Sequence, residues 1–243
     1  MTTSIIIPAR YGSSRYRGKP LVKILGKEMV IRVADICSKI KNVNVYVATD
    51  SKKIASVVKK YGYNYIFTSS SCLTGTDRVA EASKKIRSKI FINVQGDEPT
   101  INPKDIKKVI NTKKKFPNHV VCGYDKVHDF ENPSSINLPK VVVNSKGELI
   151  YISRALVPGK KKSSQNIQYH KQVCIYAFNK KQLKKFYSMK KKSETESFED
   201  IEILRFFDLG IKIKMVELKS KTIAVDEKND IKKVEKILLK KIN

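Results

Sequence analysis

Four cations fall within ten residues of one another near the start of the chain. They are Arg10, Arg15, Arg17 and Lys19, carried by the run Pro8-Ala9-Arg10-Tyr11-Gly12-Ser13-Ser14-Arg15-Tyr16-Arg17-Gly18-Lys19-Pro20. Guanidinium and ammonium groups on a loop whose glycines let backbone N–H groups approach a ligand suit a polyphosphate. The run is neither a G-x-G-x-x-G fingerprint nor a G-x-x-x-x-G-K-[ST] loop. On residue types alone, a basic surface turn competes with a phosphate site. A second candidate is Val94-Gln95-Gly96-Asp97-Glu98-Pro99. A carboxylate after a glycine at a strand's carboxyl end can hold Mg²⁺ on phosphate oxygens, and it can equally open the turn before a helix. Ala224-Val225-Asp226-Glu227 offers a further carboxylate and also reads as a helix start.

For these groups to converge, the chain must bring several strand ends to one edge. The first half alternates strands over 4–7, 44–48, 63–67 and 89–94 with helices over 28–40, 52–60, 77–86 and from about 103. Such alternation makes βαβ units, hence a three-layer α/β fold on a mostly parallel, Rossmann-like sheet. Ligands of open sheets bind outside the carboxyl ends of the strands, where both candidate loops fall. The alternation then breaks. Strands over 120–124 and 140–144, a turn at Ser145-Lys146-Gly147 and a strand over 148–153 suggest a hairpin. A loop over 158–168, a strand over 173–178 and helices over 180–189 and 198–208 come next. A strand over 212–217 and a helix over 228–240 close the chain. We expect one domain over 1–243, with an α+β insertion at about 125–200.

The bulk numbers exclude some classes. No apolar run approaches the roughly 20 residues a membrane span needs, and the first residues lack a basic n-region or a cleavage site. A cytoplasmic location and no membrane partner are expected. Four scattered cysteines and three histidines give no zinc spacing, so reduced structural thiols are expected. Fifty Lys and Arg against 23 Asp and Glu give a net charge of +27, which raises a nucleic-acid binder as an alternative class. The lysines are spread over the predicted helices as solvent-face residues, and the denser runs at 113–115, 160–162 and 190–192 lack the interleaved aromatics that stack bases. No nucleic-acid partner is expected.

Taken together, the run Ile7–Arg15 with Gly18-Lys19-Pro20-Leu21 closely resembles the opening of the 3-deoxy-manno-octulosonate (Kdo) cytidylyltransferases. The likeness continues through Val47-Ala48-Thr49-Asp50, Thr74-Gly75-Thr76-Asp77-Arg78, Asn93–Pro99, Ile152-Ser153-Arg154-Ala155, Ile175-Tyr176 and Val225-Asp226. The resemblance implies a nucleotidyltransferase that joins the CMP half of CTP to an acidic sugar, with Mg²⁺ as cofactor. It further implies that Ala9, Arg10, Arg15 and Lys19 hold the CTP phosphates and ribose, that Thr74 faces the cytosine, and that Arg78 and Gln95 approach sugar acid or nucleotide. By the same likeness Asp97 and Asp226 bind the metal, with Lys19, Arg15 and Asp97 carrying catalysis. The sugar pocket draws on Arg154, Gln172, Tyr176, Glu199 and Glu202, and the insertion builds a homodimer.

Three positions depart from the family's pattern. Tyr16-Arg17 stand for its Leu-Pro, Gln172 for its His, and Arg205-Phe206-Phe207-Asp208 for its Glu-Gln-Leu-Arg. We therefore expect an intact nucleotide half and an altered acceptor half. Kdo, an amino derivative of it and a different acidic sugar are the acceptors in contention. A nicotinamide dehydrogenase on the same sheet lacks its glycine fingerprint.

Overall fold

The computed structural model describes residues 2–12, 16–162, 164, 166–219, 222–225 and 227–240. Strand β1 (Thr3–Ala9) is buried along its whole length, as a run of Ile5-Ile6-Ile7 requires when both sheet faces are covered. Two short strands, β2 (Lys23–Ile24) and β3 (Lys27–Glu28), pair with each other ahead of helix α1 (Met29–Ser38). Strand β4 (Val43–Thr49), helix α2 (Lys52–Lys60), strand β5 (Asn64–Phe67), helix α3 (Gly75–Ser83), strand β6 (Ile90–Val94) and helix α4 (Pro103–Lys115) complete the alternating half. Three of these four helix starts are capped by a side chain. Ser51 and Asn102 accept the first free amides of α2 and α4, and Thr74 and Asp77 form a reciprocal capping box on α3.

The second half supplies β7 (Val120–Lys126), β8 (Lys140–Val143), β9 (Leu149–Ser153), β10 (His170–Asn179), α5 (Lys180–Ser188), α6 (Glu194–Glu199), α7 (Leu204–Asp208), β11 (Ile213–Glu217) and α8 (Lys228–Leu239). The main sheet runs β11-β7-β10-β6-β1-β4-β5. All of these strands are parallel except β10, which enters antiparallel between β6 and β7. Of the segment 125–200, then, the β8–β9 hairpin hangs from the sheet while β10 lies within it. Ile5 and Ile7 pack into one core with α1, α2 and α4, and Ile6 faces a second core with α3, α5 and α7. That alternation makes the three layers expected from the sequence.

Two expectations are corrected. The single helix over 198–208 is broken, because Asp200 takes a left-handed conformation (φ 49°) and ends α6. Arg154 enforces the break: its guanidinium donates to the carbonyls of Glu199 and Asp200, which a continuous helix would have used. The lysines are also not all solvated. Lys113, Lys140 and Lys171 are buried. Lys113 places its three N–H bonds on Pro117 O, His119 O and Gln182 Oε1, and burial pushes its ammonium pKa down to about 7.

Candidate active site

The carboxyl ends of β1 and β6 and the start of α3 enclose a cavity of about 200 Å³. Gly96 lets the turn after β6 lie against β1, since a Cβ there would come within 2.9 Å of Pro8 O. Pro8, Ala9 and Arg10 form one wall, and Thr74, Gly75 and Arg78 the opposite one. Gly18 N–H donates to Tyr11 O at 2.8 Å, closing the basic loop, and Lys19 then points inward from a 3-10 turn. Its ammonium donates to Asp97 Oδ2 at 2.7 Å and to Val225 O at 2.9 Å. The two side chains are 17% and 29% exposed, so the pair is accessible to a ligand. Arg10 is exposed and lines the cavity. Arg78 also lines it, but its buried guanidinium is anchored on Thr68 Oγ1 and Asp50 Oδ2. Arg15 and Asp226 lie outside the described residues. Val225 N–H donates to Asp97 O at 2.9 Å, which ties the residue before Asp226 to the β6 turn.

A second cavity, of about 690 Å³, opens on the other side of Gln95 and Asp97, which line both. Residues from the segment before β8, from β10, from 200–202 and from the start of α8 surround it. Glu202 sits at the junction. Its carboxylate accepts from Gln95 Nε2 at 2.8 Å and from Thr76 N–H at 2.9 Å. Burial pushes the Glu202 carboxyl up, with the Thr76 amide and nearby threonine hydroxyls pulling the other way. The Gln95 amide lies against Gly75, where a Cβ would meet its Nε2 at 2.8 Å and push the amide aside.

The remaining sugar-pocket candidates divide. Gln172, Tyr176 and Arg154 line the large cavity. Arg154 spends its guanidinium on the carbonyls of Ile136, Glu199 and Asp200. Glu199 is not part of the lining; its carboxylate accepts from Ser153 Oγ, Tyr151 Oη and Arg154 N–H, fastening α6 to the end of β9. Lys171, which the sequence reading missed, lines the cavity and is paired with Glu131. Seven described lining residues are Asp or Glu and three are Lys or Arg, so the cavity is acidic in a chain of net charge +27.

The departure read at Arg205-Phe206-Phe207-Asp208 is corrected. Phe206 is buried in the core, 5.1 Å from the Phe178 ring and 4.6 Å from that of Phe186. Arg205 is buried behind the cavity. The family's Glu-Gln-Leu-Arg corresponds better to Glu202-Ile203-Leu204-Arg205, three of whose four residues are the same. That internal match was the signal overlooked. Only a buried isoleucine differs there.

Among the described residues, no group of three or more His, Cys, Asp or Glu is set to hold a metal, and no helix is long and apolar enough to cross a membrane. All four cysteines are free thiols.

Comparison with known proteins gives concordant results. A family model described as cytidylyltransferase matches residues 4–221. The 3-deoxy-manno-octulosonate cytidylyltransferase of Escherichia coli is 34% identical, over 98% of this chain and 96% of that protein. The 8-amino-3,8-dideoxy-manno-octulosonate cytidylyltransferase of Shewanella sp. (strain W3-18-1) is 36% identical, over 98% of this chain and 99% of that one. A solved CMP:2-keto-3-deoxy-manno-octonic acid synthetase complexed with CTP superposes with a TM-score of 0.91 at 34% identity, covering 99% of this chain and all of that one.

Proposed function

This chain belongs to the cytidylyltransferase family, and from that membership we propose how its cleft works. The enzyme transfers CMP from CTP to a 3-deoxy-2-ketosugar acid of the Kdo type, releasing pyrophosphate. One observation carries the reading: a small cavity walled by a basic loop and a larger acidic cavity meet at Gln95 and Asp97. CTP lies in the first, with its α-phosphorus toward the junction, and the sugar acid lies in the second. The anomeric hydroxyl attacks the α-phosphorus, a carbon–oxygen–phosphorus link forms, and the α–β phosphoanhydride bond breaks.

Little covalent chemistry falls to the protein in such a transfer; positioning and charge stabilisation do most of the work. Ala9 and Arg10 flank the phosphates, and Arg15 joins them by family likeness. Lys19 neutralises charge building on the leaving pyrophosphate. Thr74, fixed by its capping box, faces the cytosine. Gln95 is oriented by Glu202 and meets the acceptor on one side and the nucleotide on the other. Arg78 and Arg154 are held rigidly by their own bonds, so each offers only its remaining N–H groups to a substrate. Gln172 and Tyr176 bond the sugar from β10.

We propose a divalent cation at this site. Asp97 offers a hard carboxylate at the junction, already matched by one positive charge from Lys19, and Mg²⁺ is commonly held by one or two carboxylates plus substrate phosphates. Asp97 and Asp226 would hold it. When bound it would neutralise phosphate charge and lower the pKa of the attacking hydroxyl. We further propose a cytoplasmic homodimer, with the pocket-building segment 125–200 as its interface. Ile150, Tyr151, Leu156 and Phe198 are large apolar side chains left exposed in this segment, Phe198 by 79%. A monomer in sedimentation at micromolar concentration would remove that part of the proposal.

The acidity of the acceptor cavity favours an amino-substituted acid over Kdo itself, because its two cations nearest β10 and β9, Lys171 and Arg154, are already engaged. Pyrophosphate release, measured with CTP across a panel of 3-deoxy-2-ketosugar acids, tests both levels. Release with none of them overturns the function, and a higher kcat/KM for unmodified Kdo than for its 8-amino analogue overturns the preference.

A further inference from the structure

Arg205 touches neither cavity, yet it bonds to structures that shape both. Its guanidinium is fully buried. Nη1 and Nη2 donate to Asp77 Oδ1 and Oδ2 at 2.8 and 3.2 Å, and Nε and Nη2 donate to Glu196 Oε2 and Oε1 at 2.5 and 2.7 Å. The Phe186 ring closes one face, with Cζ 3.8 Å from its centroid. Burial opposes the charge, but the two carboxylates outweigh it and hold the pKa of the guanidinium above its ordinary value.

Both carboxylates occupy the same local role. Asp77 is the third residue of α3 and accepts from Thr74 N–H and Thr74 Oγ1, closing the capping box whose first members line the nucleotide cavity. Glu196 is the third residue of α6 and accepts from Ser193 N–H. The helix that follows ends at Asp200, and residues 200–202 line the acceptor cavity. One planar fork therefore bolts two helix starts together: that of α3, which borders the nucleotide cavity, and that of α6, whose far end leads into the acceptor-cavity lining at 200–202. Lysine cannot copy this, because its ammonium is a single point charge without paired, coplanar donors.

We propose that Arg205 is a positioning residue for CTP: by fixing Asp77 it fixes the Thr74–Gly75 wall against which the nucleotide base binds. The proposal rests on the CTP reading above. Two variants separate this role from plain stability. Arg205→Lys keeps the charge and loses the fork. The triple variant Asp77→Asn, Glu196→Gln and Arg205→Met removes every charge at once, and replacing a whole buried ion-pair group by uncharged residues is often neutral or stabilising. Asn at 77 retains an oxygen that can still accept from Thr74.

Binding of CTP to the wild type and both variants is titrated calorimetrically well below each melting temperature, alongside acceptor KM at saturating CTP. We expect Kd for CTP to rise at least 10-fold in both folded variants while acceptor KM changes less than threefold. Kd for CTP within twofold of wild type in a folded variant, whatever its melting temperature, overturns the role. So does failure of both variants to fold, which would make the clamp a requirement of the fold. Absence of CTP binding by the wild type would instead overturn the CTP reading.

Discussion

The small cavity, proposed for the nucleotide, and the large one, proposed for the acceptor, share Gln95 and Asp97 but are built by different means. The first is about 200 Å³ and made of strand ends, two closely approached glycines and one capped helix start, all within residues 8–97. The second is about 690 Å³ and gathers side chains from segments between residues 95 and 233. Backbone approach dictates the shape of one, and long-range side-chain pairing that of the other. A fixed ligand such as CTP suits the former construction. An acceptor that varies in its substituents suits the latter, because lining side chains can change without moving the sheet.

The sharpest way to break this contrast is at the shared wall. Asp97→Asn keeps a polar turn residue, so the melting temperature should hold within a few degrees while turnover falls about 10³-fold. Near-normal pyrophosphate release at saturating Mg²⁺ would remove Asp97 from the mechanism. Gly75→Ala tests the backbone-built side. The new Cβ must displace Gln95, so kcat/KM for CTP should fall by about 10- to 100-fold. A value within twofold of wild type would mean that the close approach is incidental.

Glu202→Gln tests the side-chain-built side. Acceptor KM should rise about 10-fold, the worth of one hydrogen bond to a charged group, with a smaller rise in KM for CTP because Gln95 meets the nucleotide too. The same variant has a pH signature. Because burial raises the folded pKa of Glu202, the folded chain holds this proton more tightly than the unfolded one. The stability it adds is fully present below the unfolded value of about 4.3 and is lost as pH rises through the higher folded value. Wild-type minus variant stability, from urea melts across that window, should therefore decline with rising pH; a flat difference would contradict the assignment. The smallest effect on activity belongs to Phe206→Leu. It should cost about 1–2 kcal/mol of stability through lost packing on Phe178 and Phe186 and leave both KM values unchanged. A shift in acceptor choice would return Phe206 to the pocket.

Much of the nucleotide side was legible because its determinants are local. Ser51, Thr74 with Asp77, and Asn102 announce their helices within three residues, and Gly96-Asp97 follows directly on a β-rich run. The acceptor side was legible only in part. Glu202, Gln172, Tyr176 and Arg154 line the cavity, whereas Glu199 is spent on Ser153 and the hairpin. Lys171 is indistinguishable in the sequence from the other lysines of a lysine-rich chain. The role of Arg205 is hidden when the family's Glu-Gln-Leu-Arg is set against 205–208 rather than 202–205, and nothing in its neighbours reveals a partner 128 positions away in Asp77.

What the sequence alone determined is the alternating half, the parallel sheet and the enzyme class, since periodicity, caps and contiguous motifs encode these over short spans. The tertiary structure decided the rest. It alone placed β10 antiparallel inside the sheet, broke the helix at Asp200, buried Lys113, Lys140 and Lys171, and joined Asp77, Glu196 and Arg205. For the last three the physical reason is shared: a buried charge or an unpaired carbonyl must find a partner, and that partner can lie anywhere the fold brings within hydrogen-bond reach.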